Sequence, residues 1–108
     1  MRRIQPFLFS SLLVAALSGC EAMTSGAPAI NPQMTKAAAA NGDSIETIAA
    51  GRSLLATRCA SCHSLEPIAK YTPAQWKANV LRMADRAGLR EQETRKITAY
   101  LVAVRESL

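Results

Sequence analysis

The chain has 108 residues, a formal net charge of +5 and a hydrophobic share of 49%. This length limits it to one small domain. Without Arg2 and Arg3, which belong to a predicted targeting segment, the net charge is only +3. So weak a positive charge gives no indication of nucleic-acid binding.

The N-terminus has the pattern of an export signal. Arg2 and Arg3 precede a mostly apolar stretch over residues 6–17. This stretch is shorter than the about 20 residues that a membrane-spanning helix needs. A short apolar segment behind two positive charges predicts a signal peptide rather than a membrane span.

The end of this segment predicts lipid modification. The run Leu17-Ser18-Gly19-Cys20 resembles a bacterial lipobox, at which the signal is cleaved just before a cysteine that receives acyl chains. We therefore expect residues 1–19 to be a lipoprotein signal peptide, and Cys20 to hold the mature chain at the periplasmic face of a bacterial membrane. The alternative is an ordinary secretory signal in which Cys20 has no role.

Two regions follow the signal. Residues 20–42 are rich in alanine and contain Pro28 and Pro32 without sustained hydrophobic periodicity, which predicts a flexible tether. The four-alanine stretch 37–40 is too short to form a stable helix alone. Residues 43–108 are expected to form the folded domain.

The first two predicted helices have recognisable start signals. Asp43 and Glu46 form a capping pair before a helix at about residues 44–58. A hydroxyl, a proline and a glutamine in the run Thr72-Pro73-Ala74-Gln75 predict a second helix over about 73–86. Its apolar residues share one face that we expect to be buried, namely Trp76, Val80, Leu81 and Met83.

A last helix is predicted over about residues 91–106, after a stop at Gly88. Its expected buried residues recur at helical spacing, namely Ile97, Tyr100, Leu101 and Val104. No alternating strand pattern occurs, so the predicted fold class is all-α, with three to four helices. A domain of this size has a marginal hydrophobic core unless a metal, cofactor or disulfide supports it.

The run Cys59-Ala60-Ser61-Cys62-His63 predicts that support. Two thiols at this spacing can bond the two vinyl groups of one haem, and the adjoining His63 can then ligate the iron. A thioredoxin-like dithiol would need a strand-helix-strand context, and structural zinc would need a fourth good ligand. A simple disulfide would leave the histidine, which is the only one in the chain, unexplained.

The residues around this motif resemble those of the class I cytochromes c. Gly51, Leu54 and Leu55 precede Cys59 as in the first helix of that family, where a glycine allows the terminal helices to cross closely. The pair Tyr100-Leu101 is similar to the aromatic and aliphatic residues that contact this glycine. The resemblance covers residues 44–108 and implies a compact helical fold around one covalent haem c.

The resemblance also implies a second axial ligand. The family usually completes the iron with a methionine sulfur, and Met83 is the only methionine after the haem motif. The alternative role for Met83 is ordinary core packing. A thioether ligand would raise the reduction potential relative to two histidines.

Four further residues, with Lys70 as an alternative to one of them, are candidates for the surroundings of the haem. The family implies that a proline carbonyl accepts the Nδ1 proton of His63, and Pro67 is the available proline. Tyr71 and Trp76 are candidates to pack beside the porphyrin or to hydrogen-bond a propionate, and Arg82 or Lys70 to neutralise one. A core aromatic residue and solvated cations are equally good interpretations.

The predicted function is single-electron transfer between redox partner proteins by an exported, lipid-anchored monohaem protein. No catalytic acid, base or nucleophile constellation indicates an enzyme. One alternative is a haem subunit of a periplasmic oxidoreductase, such as a molybdenum- or quinone-dependent dehydrogenase. Another is a haem-based sensor or peroxidase-like protein, which would need an open iron position and therefore no ligation by Met83.

Overall fold

The computed structural model describes residues 26–59 and 67–108, and the described part is all-helical. The signal peptide and Cys20 lie outside the described residues. The α-helices are α1 (Pro32–Ala40), α2 (Ile45–Leu54), α3 (Pro73–Ala87) and α4 (Glu91–Glu106). A π-helical turn (Leu55–Cys59) extends α2, and a 3-10 turn (Ile68–Lys70) precedes α3. Among the described helices, none combines the length and the apolar character needed to cross a bilayer.

Helix α4 is the centre of the fold, since it packs against each of the other three α-helices. All four of its predicted core residues are buried: Ile97, Tyr100, Leu101 and Val104 are each at most 1% exposed. The helix also buries small residues between them, such as Ala99 and Ala103. The spacing of apolar residues at 3.6 residues per turn therefore predicted the core face of α4 correctly, and the bounds of the helix match the predicted ones.

Helices α2 and α4 cross at Gly51, as the family resemblance implied. A Cβ atom placed on Gly51 would overlap the backbone carbonyl of Lys96 and lie 2.9 Å from Cβ of Tyr100. Only a residue without a side chain fits between two helix backbones at this separation. The crossing fixes the direction of α2, and through it the position at which the haem motif begins.

The ends of α3 follow the predicted signals. Thr72 and Gln75 form a reciprocal capping box, with Gln75 N donating to Thr72 Oγ1 at 3.2 Å and Thr72 N to Gln75 Oε1 at 2.9 Å. Gly88 ends the helix with a φ of +64°. The predicted burial of Leu81 is wrong, because 65% of this side chain is exposed. Leu81 lies at the margin of the apolar face that Trp76 and Val80 define.

The starts of α2 and α4 differ in detail from expectation. Ser44, not Asp43, caps α2, since its hydroxyl accepts from Thr47 N at 3.1 Å. Arg90 precedes α4, where an arginine has no side-chain acceptor to offer. Glu93 compensates by accepting from Arg90 N at 3.0 Å, and this hydrogen bond lowers the pKa of the Glu93 carboxyl.

The predicted tether over residues 20–42 is wrong for its described part, because α1 forms within it and packs against α4. Asn31 caps the helix by accepting from Met34 N at 2.9 Å, and Pro32 occupies the first helical position. Met34 and Ala38 are buried. Tertiary packing against α4 stabilises a segment that alone is too short and too weakly amphipathic to be helical.

The segment before α1 is fixed to the domain by two side chains, and we call this the Ala27–Pro28 latch. Arg52 Nε donates to the carbonyls of Ala27 and Pro28, each at 3.0 Å. The Tyr100 hydroxyl donates to the Pro28 carbonyl at 2.5 Å. Ala27 itself is fully buried. The chain is therefore anchored to the domain from Ala27 onward.

Replacing Tyr100 with phenylalanine should weaken the fold in a pH-dependent way. Burial raises the pKa of Tyr100 to about 12, against a partial lowering by the Arg52 guanidinium. In the unfolded chain a tyrosine ionises near pH 10, well below the pKa of Tyr100 in the folded chain. The buried, neutral Tyr100 hydroxyl therefore makes its full contribution to the free energy of unfolding below about pH 10, and this contribution is lost as the pH rises towards 12.

At pH 8 we expect Tyr100→Phe to lower the free energy of unfolding by about 1 kcal/mol, the value of one hydrogen bond. At pH 11 the difference from the native chain should shrink, since phenylalanine does not ionise. Urea unfolding at both pH values measures this. An equal difference at the two pH values would contradict the buried state of the hydroxyl.

Candidate functional site

The structure describes six of the candidate site residues. Cys62 and His63 lie outside the described residues, as does Cys20. Cys59, the first residue of the haem motif, ends the π-helical turn after α2. It is half-buried and packs against the hydrophobic core. The motif therefore begins at the edge of the core rather than in a solvent-exposed loop.

Arg58 fixes this position against the junction of α3 and α4. Its Nη2 donates to the carbonyl of Ala87 at 3.0 Å and to that of Gly88 at 3.3 Å. Its Nη1 lies 3.3 Å from Glu93 Oε2. The carbonyls at a helix C-terminus carry partial negative charge, which favours a guanidinium there. Arg58 thus ties the start of the haem motif to the end of the helix that carries Met83.

Met83, the candidate second axial ligand, lies in the second half of α3. It is half-buried on α3, one helical turn before Ala87. One turn is about 5.4 Å along the axis, so Met83 lies close to the end that Arg58 holds. Among the described residues, neither the core cluster nor the half-buried side chains packed on it include Met83. Met83 is therefore outside the core packing of the described residues, and ligation of an iron by its sulfur stays a prediction.

Trp76 and Tyr71 form an aromatic pair at the start of α3. Their rings meet edge to face, with centroids 5.1 Å apart and an interplanar angle of 84°. Trp76 is 5% exposed, and its Nε1 donates to the Ile68 carbonyl at 2.8 Å. This donor is therefore satisfied within the protein, and Trp76 is not available as a propionate donor in this arrangement. Packing of either ring beside a porphyrin stays a prediction.

The remaining two candidates have local partners. The Pro67 carbonyl accepts from Lys70 N at 3.0 Å in the 3-10 turn. A carbonyl oxygen has two lone pairs, so a second donor can still bind there. Arg82 is exposed and hydrogen-bonds Asn79 on its own helix. Neither contact links these residues to Cys59 or Met83.

Two site contacts had no signal in the sequence. Arg58 and Arg105 both bind backbone carbonyls of distant segments, and Arg105 Nε donates to the Tyr71 carbonyl at 3.0 Å. Every residue has such a carbonyl, so no motif indicates which one an arginine will reach. Through this contact Arg105 holds the segment before α3 against α4.

Replacing Trp76 with phenylalanine should lower the free energy of unfolding by about 2 kcal/mol. The change leaves the buried Ile68 carbonyl without its donor and opens a small cavity. Urea unfolding followed by circular dichroism measures it. In a matched control, Tyr71→Phe keeps the ring contact and should cost less than about 0.5 kcal/mol. Equal losses in the two variants would show that the indole hydrogen bond contributes nothing.

The donor chemistry of the described residues is compatible with a haem. Six half-buried side chains pack on the core, and one of them is Cys59; the others are Ile30, Ala37, Leu54, Tyr71 and Leu89. A thiol and a thioether lie on the two elements that Arg58 joins, and soft sulfur ligands suit haem attachment and iron coordination. Cys59 and Met83 are the two described residues that would hold the group.

The comparisons with known proteins add no relative. No protein-family model matches the chain, and no curated protein or solved structure is significantly similar to it.

Proposed function

We propose that this chain is a lipid-anchored, monohaem c-type cytochrome that carries single electrons between redox partners on the periplasmic side of a bacterial membrane. Cys59 and Cys62 bind the haem covalently, His63 ligates the iron, and Met83 is the second axial ligand. Cys20 carries the anchor. The protein transfers electrons and transforms no substrate by itself.

The observation that carries the proposal is the crossing of α2 and α4 at Gly51. The resemblance to class I cytochromes c implied this crossing from the sequence alone, and the contact of Gly51 with Lys96 and Tyr100 supports it. Many small helical proteins have crossing helices. In this chain a Cys-x-x-Cys-His run also follows directly after the helix that crosses at a glycine.

The chain's own residues prepare the site in two ways. Arg58 holds the start of the motif at the end of α3, so that Cys59 and Met83 lie on joined elements. The edge-to-face contact between the buried Trp76 and the half-buried Tyr71 gives the start of α3 an apolar, aromatic side. When bound, a haem supplies an iron that gains and loses one electron, and an apolar, rigid surround keeps the reorganisation on this change small.

The test is intact-mass spectrometry and a reduced absorption spectrum of the protein matured in bacteria. We expect a mass increased by one haem and a c-type spectrum that resists extraction into acidic solvent. The variants Cys59→Ser and Cys62→Ser should each lose one thioether, and the double variant should lose covalent haem. Native protein without added haem mass would refute the proposal. An unmodified Cys20 in the same spectrum would refute only the anchor.

A further inference from the structure

A shallow apolar groove is lined by α1, by the residues just before it and by the first residue of α2. Its volume is about 520 Å³, and its walls include Ile30, Pro32, Ala39 and Ile45, with Lys36 among them. Ile45 is 49% exposed, which makes it one of three exposed large hydrophobic residues among those described; the others are Leu81 and Leu108. We use the name Ile30–Ile45 face for the five groove residues Ile30, Pro32, Lys36, Ala39 and Ile45.

The Ala27–Pro28 latch places this face close to the proposed lipid anchor. Cys20 is seven residues before Ala27, the first residue held by Arg52. Seven residues span at most about 25 Å when fully extended. A flexible tether over residues 20–42 would have allowed about 80 Å by the same measure. The latch therefore keeps the domain near any membrane in which acyl chains on Cys20 are inserted.

The chemistry of the face suits a bilayer surface. Exposed isoleucine side chains can enter the boundary between headgroups and acyl chains, while the lysine ammonium stays among anionic headgroups. The contact alone would be weak, because Glu46 beside Ile45 is also exposed and partly offsets the charge of Lys36. A short link to inserted acyl chains makes it intramolecular, so a weak contact is sufficient.

We infer that the Ile30–Ile45 face lies on the bilayer that Cys20 anchors, so that the domain works flat against its own membrane. The inference rests on the anchor in the proposed function. It confines the electron exchange of this domain to the membrane surface, within the reach that the latch allows. A partner across the width of the periplasm is outside that reach.

The test uses the full chain, matured and acylated in bacteria, in nanodiscs of phosphatidylethanolamine and phosphatidylglycerol that contain a photoactivatable phosphatidylglycerol. Cross-linked peptides are mapped by mass spectrometry. We expect cross-links on residues 30–45 to exceed those on residues 77–86 of α3 several-fold. Ile45→Asp should reduce the cross-links on residues 30–45 several-fold. The matched control Leu81→Asp, which changes another exposed aliphatic side chain of the same size, should leave these cross-links unchanged.

Equal cross-linking of the two regions, or cross-linking that Ile45→Asp leaves unaltered, would overturn the inference. The intact mass of the same sample separates this from failure of the proposed function. Acylated protein that carries haem but does not cross-link through the face refutes only the docking. Acylated protein that cross-links without haem refutes only the electron carrier. Protein without acyl chains on Cys20 refutes the anchor and the docking together.

Discussion

Replacing Gly51 with alanine should destabilise the domain by about 3 kcal/mol or more, although the same change usually stabilises a helix by about 1 kcal/mol. The new methyl group would overlap the Lys96 carbonyl and lie 2.9 Å from Cβ of Tyr100. Both obstacles belong to the backbone or its first side-chain atom, so neither can rotate away. The helices must separate, and the separation exposes the core between them. Urea unfolding of the purified protein measures the loss.

Ser53→Ala is the matched control for this prediction. Ser53 lies on the same helix but is exposed, and its change to alanine should alter stability by less than about 0.5 kcal/mol. A Gly51→Ala protein as stable as the control would mean that α2 and α4 do not approach as closely as described. Because α2 leads directly into Cys59, we also expect less matured haem protein from the Gly51 variant at equal expression.

The elements with strong local signals could be predicted from the sequence. Helix α3 has a capping box at one end and a glycine of positive φ at the other, and α4 has an unbroken apolar stripe. In both, the signals that set the element lie within the element or a few residues from its ends. The contact of Gly51 with α4 is long-range, and only the family resemblance indicated it.

Helix α1 could not be predicted because its stability comes from elsewhere in the chain. Its buried residues are Met34 and Ala38, too few and too small to give a clear periodicity. The Asn31 cap and Pro32 were visible, but a start signal without an apolar stripe predicts a turn equally well. Burial against α4 decides between the two, and that contact is made over about sixty residues of sequence.

The sequence indicated which residues are candidates for the site, but not the contacts that hold their helices together. Cys59 and Met83 were identified from motif and resemblance, yet the link between their elements is an arginine bound to the carbonyls of Ala87 and Gly88. The Trp76 N–H likewise binds a backbone carbonyl, that of Ile68, so Trp76 could hydrogen-bond a propionate only if this contact were broken. Backbone acceptors leave no trace in a sequence.

Replacing Met83 with leucine should convert the ferric protein from a low-spin to a high-spin spectrum and lower its reduction potential. Leucine has nearly the volume of methionine, so the half-buried position stays filled and only the sulfur is lost. Absorption spectroscopy and redox titration of the purified haem protein measure the two effects.

The matched control is Met34, a residue of α1 that is 3% exposed and packs in the core. Met34→Leu removes a sulfur from the core and should leave spectrum and potential unchanged, because that sulfur coordinates nothing in the proposed site. A low-spin spectrum that survives Met83→Leu would show that another group completes the iron. A native protein that is already high-spin would favour an open iron position, and with it a sensor or peroxidase-like protein over an electron carrier.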